Sequence, residues 1–144
     1  MKLFGLFIAA SLILFLIFYW TGLWLEWNFY YSWFDQILHL AGGFLTVAIF
    51  QYFFSRFYGD VFKKSFWLEL VIGLSFVALV GVLWELHEFV ADWWLQKPFL
   101  QGGVSDTISD LFLGLVGGMI FILLNKLLWV LKKKLLKSRF QSSY

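Results

Sequence analysis

Six carboxylates and one imidazole are spaced along this chain so that helices could gather them: Asp35, His39, Glu85, Glu88, Asp92, Asp106 and Asp110. At about 100° per residue, Asp35 and His39 fall about 40° apart, and so do Asp106 and Asp110. Glu85, Glu88 and Asp92 lie within about 60° of one another by the same arithmetic. Each set makes a stripe on its own helix. Asp and Glu oxygens with one imidazole suit magnesium, manganese, zinc or iron, and helix bundles build such centres from inward-facing carboxylates three and four residues apart. Glu85-x-x-Glu88 and Asp106-x-x-x-Asp110 have that spacing. The candidate ligands of a divalent metal ion are therefore Asp35, His39, Glu85, Glu88, Asp106 and Asp110. Glu88 or Glu85 is the candidate general base, with His39 as ligand or proton shuttle. His87 points about 100° or more away from the acidic face and reads as structural or interfacial.

The elements that must position these side chains are set by composition. Of 144 residues, 62% are hydrophobic, 24% aromatic and only 14% charged, against roughly 45–50% apolar and about 25% charged in an ordinary soluble domain. A particle this small cannot hide so much Phe, Trp and Leu from water, so lipid must be its main solvent. A net charge of +2 gives no reason to expect a nucleic-acid partner. With no cysteine, disulfides, thiolate ligands and cysteine nucleophiles are excluded.

Residues 3–25 are charge-free and long enough for the roughly 20 residues that cross about 30 Å of hydrocarbon. They exceed a signal-peptide core, and no small-residue cleavage pattern follows Trp20. Three further apolar stretches, 40–55, 70–84 and 111–125, are each short of the hydrocarbon thickness, so their helices must recruit charged neighbours. Arg56 and Lys126 can snorkel at one end; the acids at the other have short reach. The expectation is a single all-α integral membrane domain over residues 1–144, a bundle of four transmembrane helices spanning about 3–25, 36–58, 66–89 and 108–131. Residues 26–34 read as an interfacial connection, Trp84, Trp93 and Trp94 as interfacial anchors, and Ser105 as a helix cap. Gln101, Gly102 and Gly103 read as an ordinary connection after Pro98. Lys2, Arg56, Lys63, Lys64, Lys132, Lys133, Lys134, Lys137 and Arg139 fall on one side, and Lys97 on the other. That bias places both termini in the cytoplasm, with the C-terminal KKKLLKSR run on the anionic inner leaflet.

The acids then collect at the outer ends of three spans. Asp35 and Asp106 begin helices, where capping of free N–H groups and the positive helix end is a sufficient alternative to ligation. Asp110 and His39 lie a turn further in, where ionisable residues face a polar interior and mark function. Glu85, Glu88 and Asp92 end a helix whose own dipole opposes them. A charge at bilayer depth costs at least about 2.5–3.5 kcal/mol, so three carboxylates approach 10 kcal/mol, against a typical folding margin of about 5–15 kcal/mol. Something positive must neutralise them: protons, a metal ion or a cationic ligand. Gly42 and Gly43 follow His39, and Gly114, Gly117 and Gly118 follow Asp110; such small residues let membrane helices approach closely and the stripes converge.

The segments FDQILHLAGG, WELHEF and SDTISDLFLGLVGG resemble the small bacterial inner-membrane proteins typified by YjdF and, more distantly, the VanZ-like family. The likeness runs over about residues 35–118 and implies a multi-helix protein of the bacterial plasma membrane with Asp35, His39, Glu85, Glu88, Asp106 and Asp110 on the family's polar positions. VanZ-like proteins are associated with glycopeptide resistance and envelope physiology; here Glu88 and Asp110 stand where amides are expected.

Three functions fit these residues. In the first, a metal site acts on a lipid-linked or cell-envelope substrate, as a membrane-embedded hydrolase or transferase. In the second, the acids load and release ions in a proton- or cation-coupled transporter; four helices wall a pathway thinly, so this reading carries a homo-oligomer with it. In the third, the protein binds envelope partners or membrane lipids without catalysis. An HExxH helix, a P-loop and a GxSxG elbow are all missing from the sequence, so no reaction is named by motif.

Overall fold

A computed structural model describes residues 2–58, 65–96, 100 and 102–141. Lys63, Lys64, Lys97, Pro98 and Gln101, which bear on orientation and on the outer connection, lie outside the described residues, as do the side chains of Lys2, Lys137 and Arg139. The described chain is helical: α1 (Lys2–Trp24), a single-turn α2 (Trp27–Tyr30), α3 (Ser32–Tyr58), α4 (Phe66–Leu95) and α5 (Val104–Gln141). The four long helices are each long and apolar enough to cross a membrane.

The helices outrun the expected spans. α3 starts at Ser32 rather than 36, α4 continues to Leu95 rather than 89, and α5 runs from Val104 to Gln141 rather than from 108 to 131. Hydrophobicity marks only the part of a helix that lipid covers, whereas backbone hydrogen bonding continues through good helix formers until a breaker intervenes. Lys and Leu after Lys126 are such formers, so the KKKLLKSR run is the helical end of α5. Its 38 residues extend about 57 Å, well beyond the hydrocarbon. Trp129 lies between the Lys126 and Lys133 ammonium groups, 5.2 and 5.3 Å from its ring centre, a cation–π arrangement at the water-facing end.

Local chemistry sets the helix ends. Ser65 Oγ accepts from the Leu68 N–H at 3.4 Å to open α4, and Gln96, in a left-handed conformation at φ 51°, closes it. Gly103, at φ +96°, turns the chain into α5, whose first residue is Val104. Ser105 is therefore inside the first turn instead of capping it; the glycine makes the turn that a capping hydroxyl was expected to stabilise.

The bundle alternates in direction. Tyr52 of α3 lies against Gly5 of α1, and Gln51, Glu69 and Asn125 meet at that same end. Tyr19, Trp84 and Asp35 lie toward the other end. Between the ends, Val47, Ala48, Val77, Phe121 and Ile122 form a buried apolar layer with Ile8. α3 and α5 make the tightest pair. A Cβ on Gly43 would overlap the Gly114 carbonyl, and one on Gly117 would overlap the Leu40 carbonyl, so backbone meets backbone without side chains between them. The connection at residues 26–34 is only partly interfacial: Tyr30, Tyr31 and Trp33 are exposed, but Phe34 is fully buried. Its ring fills the space left by Gly22 and stacks 5.0 Å from Phe18.

Candidate metal centre

The stripes on α3, α4 and α5 converge where the α3–α5 contact draws the helices together. His39, a turn in from Asp35, is the hinge of the cluster. Its Nε2 lies 3.6 Å from Asp35 Oδ1 on its own helix and 3.6 Å from Glu85 Oε1 on α4. Two overlapping groups have donor atoms within 4.8 Å of one another and could hold a metal ion: Asp35, His39 and Asp110, and His39, Glu85 and Glu88. All five residues are buried, Asp110 to 1% and Glu88 to 2% exposure.

The hydrogen bonding is incomplete in a specific way. Asp35 Oδ1, His39 Nε2, Glu85 Oε1 and both Asp110 carboxylate oxygens are buried without a hydrogen-bond partner. Leaving such atoms unpaired costs about 1–3 kcal/mol each, more when they are charged. The remaining oxygens are held. Thr107 Oγ1 donates to Glu85 Oε2 at 2.7 Å, turning Oε1 toward His39. Trp84 Nε1 donates to Glu88 Oε1 at 2.8 Å. Oriented ligands whose outer atoms are tied down are the usual construction of a metal site. The 3.6 Å separations are too long for hydrogen bonds but match the edge of a four-coordinate centre, whose donors lie about 3.3–3.6 Å apart for bonds of about 2.0–2.2 Å.

Asp106 lies outside both groups. Its Oδ2 accepts from the Gly102 N–H at 2.9 Å, the local use of a helix-starting acid. Asp92, although on the same stripe as Glu88, accepts the Leu100 N–H with both oxygens, at 2.9 and 3.1 Å, and ties the end of α4 to the following loop. His87 is exposed and its ring packs 5.7 Å from Trp84.

Trp84 corrects an expectation. It was read as an interfacial anchor, as Trp93 and Trp94 were; those two are exposed, whereas Trp84 turns inward. Its indole packs edge-on to Tyr19 at 5.1 Å and Phe15 at 6.5 Å while donating to Glu88. The signal was its position, four residues before Glu88 and therefore on the same face. Thr107 was also missed: three residues before Asp110, it shares that stripe, and a hydroxyl there serves the acid of a neighbouring helix. Tyr19 carries no such sequence signal.

A second polar group lies at the opposite end. Gln51 Nε2 donates to Glu69 Oε1; Asn125 Nδ2 donates to Gln51 Oε1 at 2.8 Å and to Glu69 Oε1 at 3.5 Å. Glu69 was not anticipated as a buried residue, yet it is 2% exposed. Asn125, the polar residue closing an apolar run, was the available hint.

No solved structure matches this chain. An uncharacterized protein of Thermotoga maritima is 40% identical over 97 residues, 62% of this chain and 47% of the relative, so the likeness covers under half of that relative's length. Residues 2–130, from the start of α1 through most of α5, match the family of predicted membrane proteins designated DUF2238, and the chain belongs to that family.

Proposed function

We propose that the cluster binds a divalent metal ion through His39, Asp35, Asp110, Glu85 and Glu88, and that the protein acts there on a lipid-linked or cell-envelope substrate. The observation carrying this reading is that five buried, unpartnered polar atoms from three helices gather around His39 in two overlapping groups. Protons shared between the carboxyls would also pair some of these oxygens; what favours a metal ion is the imidazole beside them, since carboxylate oxygens with one histidine make a ligand set suited to a divalent cation. Bound there, the ion would polarise a phosphate or carbonyl oxygen, and whichever of Glu88 and Glu85 does not ligate it would act as base. The bias of Lys and Arg in the sequence toward the opposite side supports reading the cluster as facing the outer side of a bacterial plasma membrane. The resemblance to VanZ-like proteins agrees with an envelope role.

Transport is the weaker reading, because Val47 and Ile122, both fully buried, lie between the two polar ends. Elemental analysis of purified protein, followed by chelation and a thermal-shift titration with zinc, manganese and magnesium, tests the proposal. Metal near one equivalent per chain and a stabilising shift are expected; no bound metal and no shift with any of the three would overturn it.

A further inference from the structure

The cluster does not end in protein. A cavity of about 320 Å³ begins at His39 and Asp110 and runs into the bundle between α1 and α4. Its walls are apolar: Leu12, Phe15 and Leu16 of α1 face Phe76, Val77 and Val80 of α4. Two features keep it open. Gly42 lines it, and a Cβ placed there would meet nothing closer than the Phe15 ring at 3.7 Å. α1 packs mainly on α3, so it stands off from α4. Contact between these helices is made where Trp84 meets Tyr19 and Phe15, at the end near the carboxylates.

The two ends of this space have different chemistry. At one end stand Asp110, 1% exposed with both oxygens unpartnered, and His39 Nε2. Below them the lining carries no ionisable group, and the medium outside the wall is hydrocarbon. Water entering the lower part would find few of the two to four polar partners it needs, whereas a hydrocarbon chain would match the walls. The volume is within the range of about 300–1,000 Å³ found for small-molecule sites. An occupant suited to both ends has one apolar chain and a compact head able to bind a metal ion.

We propose that this cavity receives the hydrocarbon chain of a single-chain lipid whose phosphate headgroup sits at the His39–Asp110 end. The proposal deepens the metal reading and rests on it for the headgroup, since carboxylates without a cation would repel a phosphate. The chain supplies position more than affinity, because lipid tails outside are as apolar as the cavity wall.

Hexadecyl phosphate bearing a mid-chain diazirine tests it, with the full chain in phosphatidylcholine nanodiscs. After photolysis, label is expected on peptides containing residues 12–16 and 76–84. Unlabelled hexadecyl phosphate should compete and hexadecanol should not. Val80→Trp fills the cavity, and steric overlap of this kind should lower that labelling about tenfold or more while metal content stays at the wild-type level. Gly42→Leu serves the same purpose should the larger side chain prevent folding. Label spread evenly over lipid-facing peptides, or undiminished in both variants, overturns the proposal. Metal bound with no cavity labelling refutes the lipid site and leaves the metal centre standing. Competition by hexadecanol as strong as by unlabelled hexadecyl phosphate refutes the headgroup assignment, and in protein that binds no metal it refutes the metal centre with it.

Discussion

The bundle carries a buried polar cluster near each end, and they are built on opposite plans. At one end Glu69 is surrounded by amides: Gln51 and Asn125 both donate to it and Asn125 also donates to Gln51, and Lys126 lines a small cavity with Glu69 and Asn125. At the other end Asp35, Glu85, Glu88 and Asp110 have one imidazole among them, and Asp35, Glu85 and Asp110 leave inward oxygens unpaired. Both clusters are drawn from α3, α4 and α5, so the same helices and the same medium produce a closed network in one place and an open one in the other. Amide donors close a network around a carboxylate and make it structural. A set rich in acceptors is left open to a cation or another donor that arrives from outside. Acidity at depth is common to both ends; the lack of donors is what singles out the candidate site.

That contrast is tested most strongly by removing the arriving charge's ligands. His39→Ala with Asp110→Ala should abolish metal binding, and Glu69→Gln should leave metal affinity within about twofold; calorimetric titration of purified protein reads both, and equal losses would erase the distinction. For Asp110→Asn alone, the expected loss exceeds the about 10–100-fold that removal of a supporting hydrogen bond costs. Gly117→Val strikes both clusters through the helix pair they share. Its side chain would enter the Leu40 carbonyl, so destabilisation of about 3 kcal/mol or more is expected in denaturant or thermal unfolding, with metal binding falling alongside. Thr107→Val frees Glu85 Oε2 and should weaken metal about 10–100-fold at a stability cost near 1 kcal/mol; unchanged affinity would mean that Thr107 does not orient Glu85. The smallest effect belongs to the closed network. Asn125→Leu should cost about 1–3 kcal/mol of stability without altering metal content, and a change in metal content would show that the two ends are coupled.

Much of this was legible in the sequence, and the reasons differ by residue. The four spans follow from hydrophobic length, which lipid enforces directly. The Asp35–His39, Glu85–Glu88 and Asp110 stripes follow from helical periodicity, and the glycines that bring them together follow from their place one turn below. Asp106 and Asp92 share those stripes but spend their oxygens on the N–H groups of Gly102 and Leu100. Periodicity fixes which face a side chain is on, not whether a nearby loop amide reaches it first. Trp84 was misread because an indole near a helix end is equally suited to headgroups and to a buried acid. Glu69 was missed because its amides come from two other helices, 18 and 56 residues away.

The apolar layer of Val47, Val77 and Ile122 has an electrical consequence. A slab without polar groups is where a transmembrane voltage drops most steeply, so a cation at the His39 end sits beyond the steepest part of the field as seen from the lysine-rich end. Exchange of an ion held there would be insensitive to voltage, and its occupancy would follow the composition of the compartment on its own side.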